Sequence, residues 1–179
     1  LILIVADVVT FIFIIKLLKH FKKDEKLSLL YFLNPLIIIE LTGNLHFEGL
    51  MLALLLMSVY YLLKSKYIFS ILLYSLAIGV KLIPLIFLPY IVFKLKNKWK
   101  FIYSLGVVFV LTVQFIPFFN VDLFLKMLSS VNLYFQNFEF NASIYYVLRW
   151  LGFQIYGYNV IQTLGVVLGL VSFLSIVFL

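Results

Sequence analysis

The sequence predicts an all-α, polytopic membrane bundle of about six or seven membrane helices, some of them short or re-entrant. Three observations carry that expectation. Of 179 residues, 65% are hydrophobic and only 12% are charged, giving a mean hydropathy of +1.19. A soluble domain is about 45–50% apolar and about 25% charged, so the polar side chains here are too few to cover a water-facing surface. The apolar residues also run the whole length of the chain, which excludes a soluble domain with one anchor. Finally, lysines gather in clusters between the apolar runs, as cytoplasmic loops of membrane proteins do.

That last pattern explains the 14 Lys and Arg against 7 Asp and Glu as loop charge, without nucleic acid as a partner. The absence of cysteine rules out disulfides, thiolate metal sites and a cysteine nucleophile. The start has no basic stretch before its apolar run, so no signal peptide is expected. Both Leu1 and Leu179 lie inside apolar runs. The whole of 1–179 is therefore expected to be a single transmembrane domain fragment of a longer protein.

The expected elements follow in order. Residues 1–18 form a span ending in Lys16, Lys19, Lys22, Lys23 and Lys26, which marks that end as cytoplasmic. Residues 27–43 return outward with Asn34-Pro35 in the middle, where proline should kink the helix. After a turn without Lys or Arg, NLHFE, residues 49–63 come back to Lys64 and Lys66. Residues 67–93 lie between that pair and the run Lys94, Lys96, Lys98 and Lys100. Two basic clusters on one side require 67–80 and 82–93 to form a short hairpin with Lys81 near its tip. One long tilted helix is the alternative, and it would place one basic cluster outside. Residues 101–118 span outward, 119–158 read as an external interfacial segment rich in aromatics and amides, and 159–179 form the last span.

An ionisable residue in a lipid-embedded chain is costly and so points to function. Four groups stand out. The first is Asn34, Glu40, Asn44, His46 and Glu48 in NPLIIIELTGNLHFEG. Its carboxylates and imidazole could bind a divalent metal, handle protons or hold sugar hydroxyls, or form an ordinary polar turn. The second is Lys81, either an anion partner or a snorkelling side chain. The third is Asp7, facing a cavity or lying at headgroup level. The fourth is Glu139, Asn141, Ser143, Tyr145 and Arg149, where Arg149 could clamp a phosphate or pair with Glu139. The N-A-S triplet there matches a glycosylation acceptor, but so short a match is common by chance. No glycine-rich phosphate loop, H-E-x-x-H or G-x-S-x-G is present.

Four of these elements together resemble the polytopic GT-C glycosyltransferases, in particular the bacterial group that takes mannose from a polyprenyl-phosphate carrier. They are the Asn34-Pro35 start of a span, the turn Gly43, Asn44, His46 and Glu48, the pair Lys81 and Pro84, and the stretch Phe140 to Arg149. Asp7 is similar to the family's early aspartate, and Glu48 departs from its more usual Asp. The resemblance implies a sugar transferase acting on the extracytoplasmic face of a bacterial inner membrane. It implies a lipid-phosphate sugar donor and a glycan or lipid acceptor; no cofactor is specified by the sequence beyond the divalent metal that the Glu40 to Glu48 segment could bind. Lys81 and Arg149 would hold the carrier phosphate, and Asn44, His46, Glu48 and Asn141 would contact sugar or acceptor. Asp7, Asn34 and Glu40 would support them. The catalytic base of such enzymes lies in the first external loop, which the family layout places upstream of Leu1. The main alternative is a lipid-linked oligosaccharide flippase or other transporter component. It would hold its polar residues near the midplane, whereas here they collect toward one face.

Overall fold

The computed structural model describes residues 1–118, 120–136 and 143–178. Among them all regular structure is helical. The chain divides into two compact units, Leu1–Phe115 and Ile116–Leu179. The division falls near the change from apolar spans to mixed aromatic and polar sequence.

In the first unit, α1 (Ile2–His20) ends with Lys19 and His20 in its last turn, where cations complement the helix dipole. Lys22 then takes a left-handed conformation, φ 54, and the Lys23 N–H closes the turn on the Leu18 carbonyl at 2.9 Å. Asp24 caps a 3-10 turn, Glu25–Ser28, by accepting from the Lys26 N–H. The short helix α2 (Leu29–Phe32) stops before Asn34. The kink expected there is a full break instead. A residue before proline is pushed out of the helical region, and Asn34 is extended with ψ 118. Its side chain accepts from the Leu36 N–H at 3.0 Å and so caps α3 (Pro35–Ile37). Pro35 sits in the first turn, where no N–H is needed. The helix then widens into a π turn, Ile38–Gly43.

Helix α4 (Glu48–Leu63) packs along α1 and along α5 (Tyr67–Val80), and α5 packs along α7 (Asn97–Phe115). Ile71, Tyr74, Ile78, Tyr103 and Val107 form the core between α5 and α7, joined by Ile91. Polar groups in that core satisfy one another. The Ser58 hydroxyl donates to the Ser70 carbonyl at 2.9 Å and lies 3.0 Å from the Ser70 hydroxyl, which is 2.9 Å from that of Tyr103. Small hydroxylated residues let helices approach closely and bond across the interface.

The chain does not run through 67–93 as one helix. Lys81 leaves α5 in an extended conformation, φ −155 and ψ 138. A 3-10 turn, Ile83–Phe87, leads into α6 (Leu88–Lys94). The return path lies against α5, because the Tyr74 hydroxyl donates to the Pro84 carbonyl at 2.6 Å.

Among the described residues, one helix is long and apolar enough to cross a membrane by length and composition, Asn97–Phe118. Glu48–Leu63, Tyr67–Val80, Ile83–Lys94 and Ile161–Ile176 are apolar but shorter. At about 1.5 Å per residue, the 14 residues of α5 reach about 21 Å, against a hydrocarbon core of about 30 Å. Helix length alone therefore does not yield the six or seven full crossings expected from the sequence.

The second unit holds α8 (Val121–Gln136), α9 (Ser143–Tyr156) and α10 (Ile161–Val177). The first two are amphipathic and α10 is apolar all round. Gly157, at φ 74, ends α9. The Asn159 side chain accepts from the Ile161 N–H at 3.1 Å and so caps α10, and it also accepts from the Tyr145 hydroxyl at 3.3 Å.

Candidate functional site

Helix α4 begins at Glu48 and ends before Lys64, and α5 begins after Lys66 and ends before Lys81. The two helices thus keep the lysine pair at one end and bring Glu48 and Lys81 together at the other. The connection into α4 is built by backbone. The Asn44 N–H bonds the Ile39 carbonyl at 2.8 Å and the His46 N–H bonds the Leu41 carbonyl at 3.1 Å. Between them Leu45 is forced to φ 54, a left-handed conformation that L-residues other than glycine adopt at a cost. This tight turn presents His46 and delivers Glu48 as the first residue of α4, where the helix dipole favours an acid.

Lys81 Nζ donates to Glu48 Oε1. On the other side, His46 Nδ1 lies 3.7 Å from Glu48 Oε2. The Lys81 and Glu48 side chains are 43% and 35% exposed, so a ligand can reach the pair without unfolding anything. The Lys81 ammonium, with help from the backbone N–H at the start of α4, holds the Glu48 carboxyl below the usual carboxylate range. A carboxylate in that state is a counter-ion and hydrogen-bond acceptor. It is a poor general base near neutral pH, where a base should have a raised pKa.

Asp7 reaches the same corner from α1. The Tyr31 hydroxyl donates to Asp7 Oδ1 at 3.4 Å, and a Cβ placed on Gly49 would lie 3.3 Å from that oxygen. Glycine next to Glu48 is what lets α1 bring a carboxylate against the start of α4. Asn44 Nδ2 donates to Glu40 Oε2 at 3.2 Å, a bond within the turn that braces it. Asn34 serves the α3 cap described above. Gln114, in the last turn of α7, lies against Gly79 in the last turn of α5, two residues before Lys81. Arg149 stands on α9 in the second unit, its guanidinium 5.0 Å above the Tyr146 ring. Asn141 and Glu139 lie outside the described residues. Among the described residues no three His, Asp or Glu side chains converge to hold a metal ion, so the metal-binding option for the Glu40 to Glu48 segment has no ligand set there.

Sequence reading passed over Tyr31, Gly49, Tyr74 and Gln114. Tyr31 and Asp7 are 24 residues apart, as the hydrogen bond shows, and no local spacing links them. Gly49 did carry a signal, a glycine directly after the acid that opens an apolar run.

The profile of the MptA_B family, alpha-(1->6)-mannopyranosyltransferase, N-terminal domain, matches residues 1–97. This stretch contains every residue of the corner just described except Gln114. The chain is also similar to GPI mannosyltransferase 1 of Candida albicans, with 36% identity over 105 residues. That similarity covers 55% of this chain and 26% of the relative, so the chain spans about a quarter of the relative's length. No solved structure matches the chain significantly.

Proposed function

The chain belongs to the MptA_B family, and from that membership we propose that it is part of a membrane enzyme that transfers mannose from a polyprenyl-phosphate carrier to a glycan or lipid acceptor outside the cytoplasm. The observation that carries this reading is the half-exposed Glu48–Lys81 pair, with His46 beside Glu48 and Asp7 against the adjoining Gly49, at the end of α4 and α5 away from Lys64 and Lys66. With the lysine clusters on the cytoplasmic side, that corner faces out. The apolar exterior of the helices, Leu76, Val108 and Phe109 among many, suits lipid contact.

In this reaction the acceptor hydroxyl oxygen attacks the anomeric carbon, and the bond from that carbon to the phosphate oxygen breaks. The leaving polyprenyl phosphate gains negative charge, which Lys81 neutralises where it develops. The ammonium turns from Glu48 to the phosphate, or is shared by both. Glu48, with His46 beside it, then accepts hydrogen bonds from sugar or acceptor hydroxyls. The proton of the attacking hydroxyl goes to a base other than Glu48, whose depressed pKa suits it poorly to that role.

In the full-length protein, Lys81→Ala should abolish sugar transfer from a polyprenyl-phosphate donor, and unchanged turnover would sink the phosphate assignment. Leu45→Cys should be labelled from outside and Asn97→Cys from inside. Labelling position 97 from outside would overturn the sidedness.

A further inference from the structure

We propose that Gln114 is a further contact for the donor phosphate: its side-chain N–H, buried against α5 at rest, turns out past Gly79, two residues before Lys81, to meet the ligand. This rests on the reading that Lys81 binds that phosphate. Two observations point to it. First, Gln114 Nε2 is a buried polar side-chain atom without a hydrogen-bond partner. A buried donor left without an acceptor is destabilising. Second, the position of this amide depends on a glycine. A Cβ on Gly79 would collide with Gln114 Oε1, so the side chain lies in the space that glycine leaves open at the end of α5.

The chemistry of the orphan selects its partner. Nε2 only donates, and the cation two residues beyond Gly79 favours an anion. A phosphate oxygen is an acceptor that satisfies both, and a neutral amide beside an ammonium adds directional hydrogen bonding to a point charge. A residue chosen only for packing on α7 could be leucine, which fills similar space without an unpaired donor.

The test uses the full-length enzyme, reading the KM for polyprenyl-phosphate-mannose, kcat and the thermal midpoint in detergent. Gln114→Leu should raise that KM about tenfold, the size expected for one lost charge-assisted hydrogen bond, with kcat little changed. Its thermal midpoint should stay level or rise, because an unpaired buried donor has been removed. Gly79→Ala keeps a good helix former and displaces only the tip of Gln114. It should raise the KM in the same direction, and the double variant should be no worse than Gln114→Leu alone. An unchanged KM in both single variants, with Lys81→Ala still abolishing transfer, would overturn the Gln114 contact and leave the Lys81 reading intact. A fall in midpoint at unchanged KM would mark Gln114 as packing and likewise overturn it. If Lys81→Ala leaves transfer unchanged, the phosphate does not bind at this corner and both readings fall.

Discussion

The middle of the α4–α5–α7 bundle and its Glu48–Lys81 corner use polar residues in opposite ways. In the middle, Ser58, Ser70 and Tyr103 are small or neutral, fully buried and bonded to one another. At the corner, Glu48, Lys81 and His46 are charged or chargeable, half-exposed and held by a single ion pair and one long contact. Closed hydrogen bonding fixes a structure, and exchangeable pairing leaves groups that a ligand can take over. Stability and activity should therefore respond to different substitutions.

The largest expected effect is on activity alone. Lys81→Met should lower sugar transfer at least about a hundredfold, while the exposed pair it removes contributes only about 0–1 kcal/mol to stability. Assay and thermal unfolding of the same purified variant check both halves of that statement. Tyr74→Phe links the two regions. It leaves the Pro84 carbonyl unpaired in the core, which should cost about 1–3 kcal/mol and raise the donor KM by loosening the exit from α5. Ser70→Ala takes the shared partner from Ser58 and Tyr103. A loss of about 1 kcal/mol in thermal unfolding with unchanged turnover is the expected result.

The smallest effect is the pH response of the ion pair. Glu48 has a folded pKa below its unfolded value. Its contribution to stability is fully present above the ordinary glutamate value of about 4.3 and is lost as pH falls through the lower folded value. Glu48→Gln should flatten that acid limb slightly and leave stability at neutral pH nearly unchanged. If Glu48→Gln costs as much as Ser70→Ala at neutral pH, the contrast between core and corner does not hold.

The helical class was legible because it follows from composition, and the Asn44 to Glu48 turn and Lys81 were legible because charges in apolar sequence are conspicuous. That Glu48 and Lys81 pair was not legible, since their 33-residue separation is closed only by the packing of α4 on α5. The Asn34 break was half legible. Proline announces a disturbance, but whether the chain kinks or restarts depends on Asn34 taking the cap. Gln114 was invisible because a lone amide in an apolar helix carries no pattern, and its setting depends on a glycine 35 positions earlier.

The hydrogen bond from Tyr74 to Pro84 also bears on how such a chain is made. With Pro84 folded back on α5, neither α5 nor the Ile83–Lys94 leg is as long as the roughly 20 residues that a translocation channel releases sideways as one spanning segment. On the proposed sidedness, the two legs should partition from the channel together, after Lys94 has been synthesised. Biogenesis would then treat the hairpin as one unit, with neither leg released into the bilayer before the other.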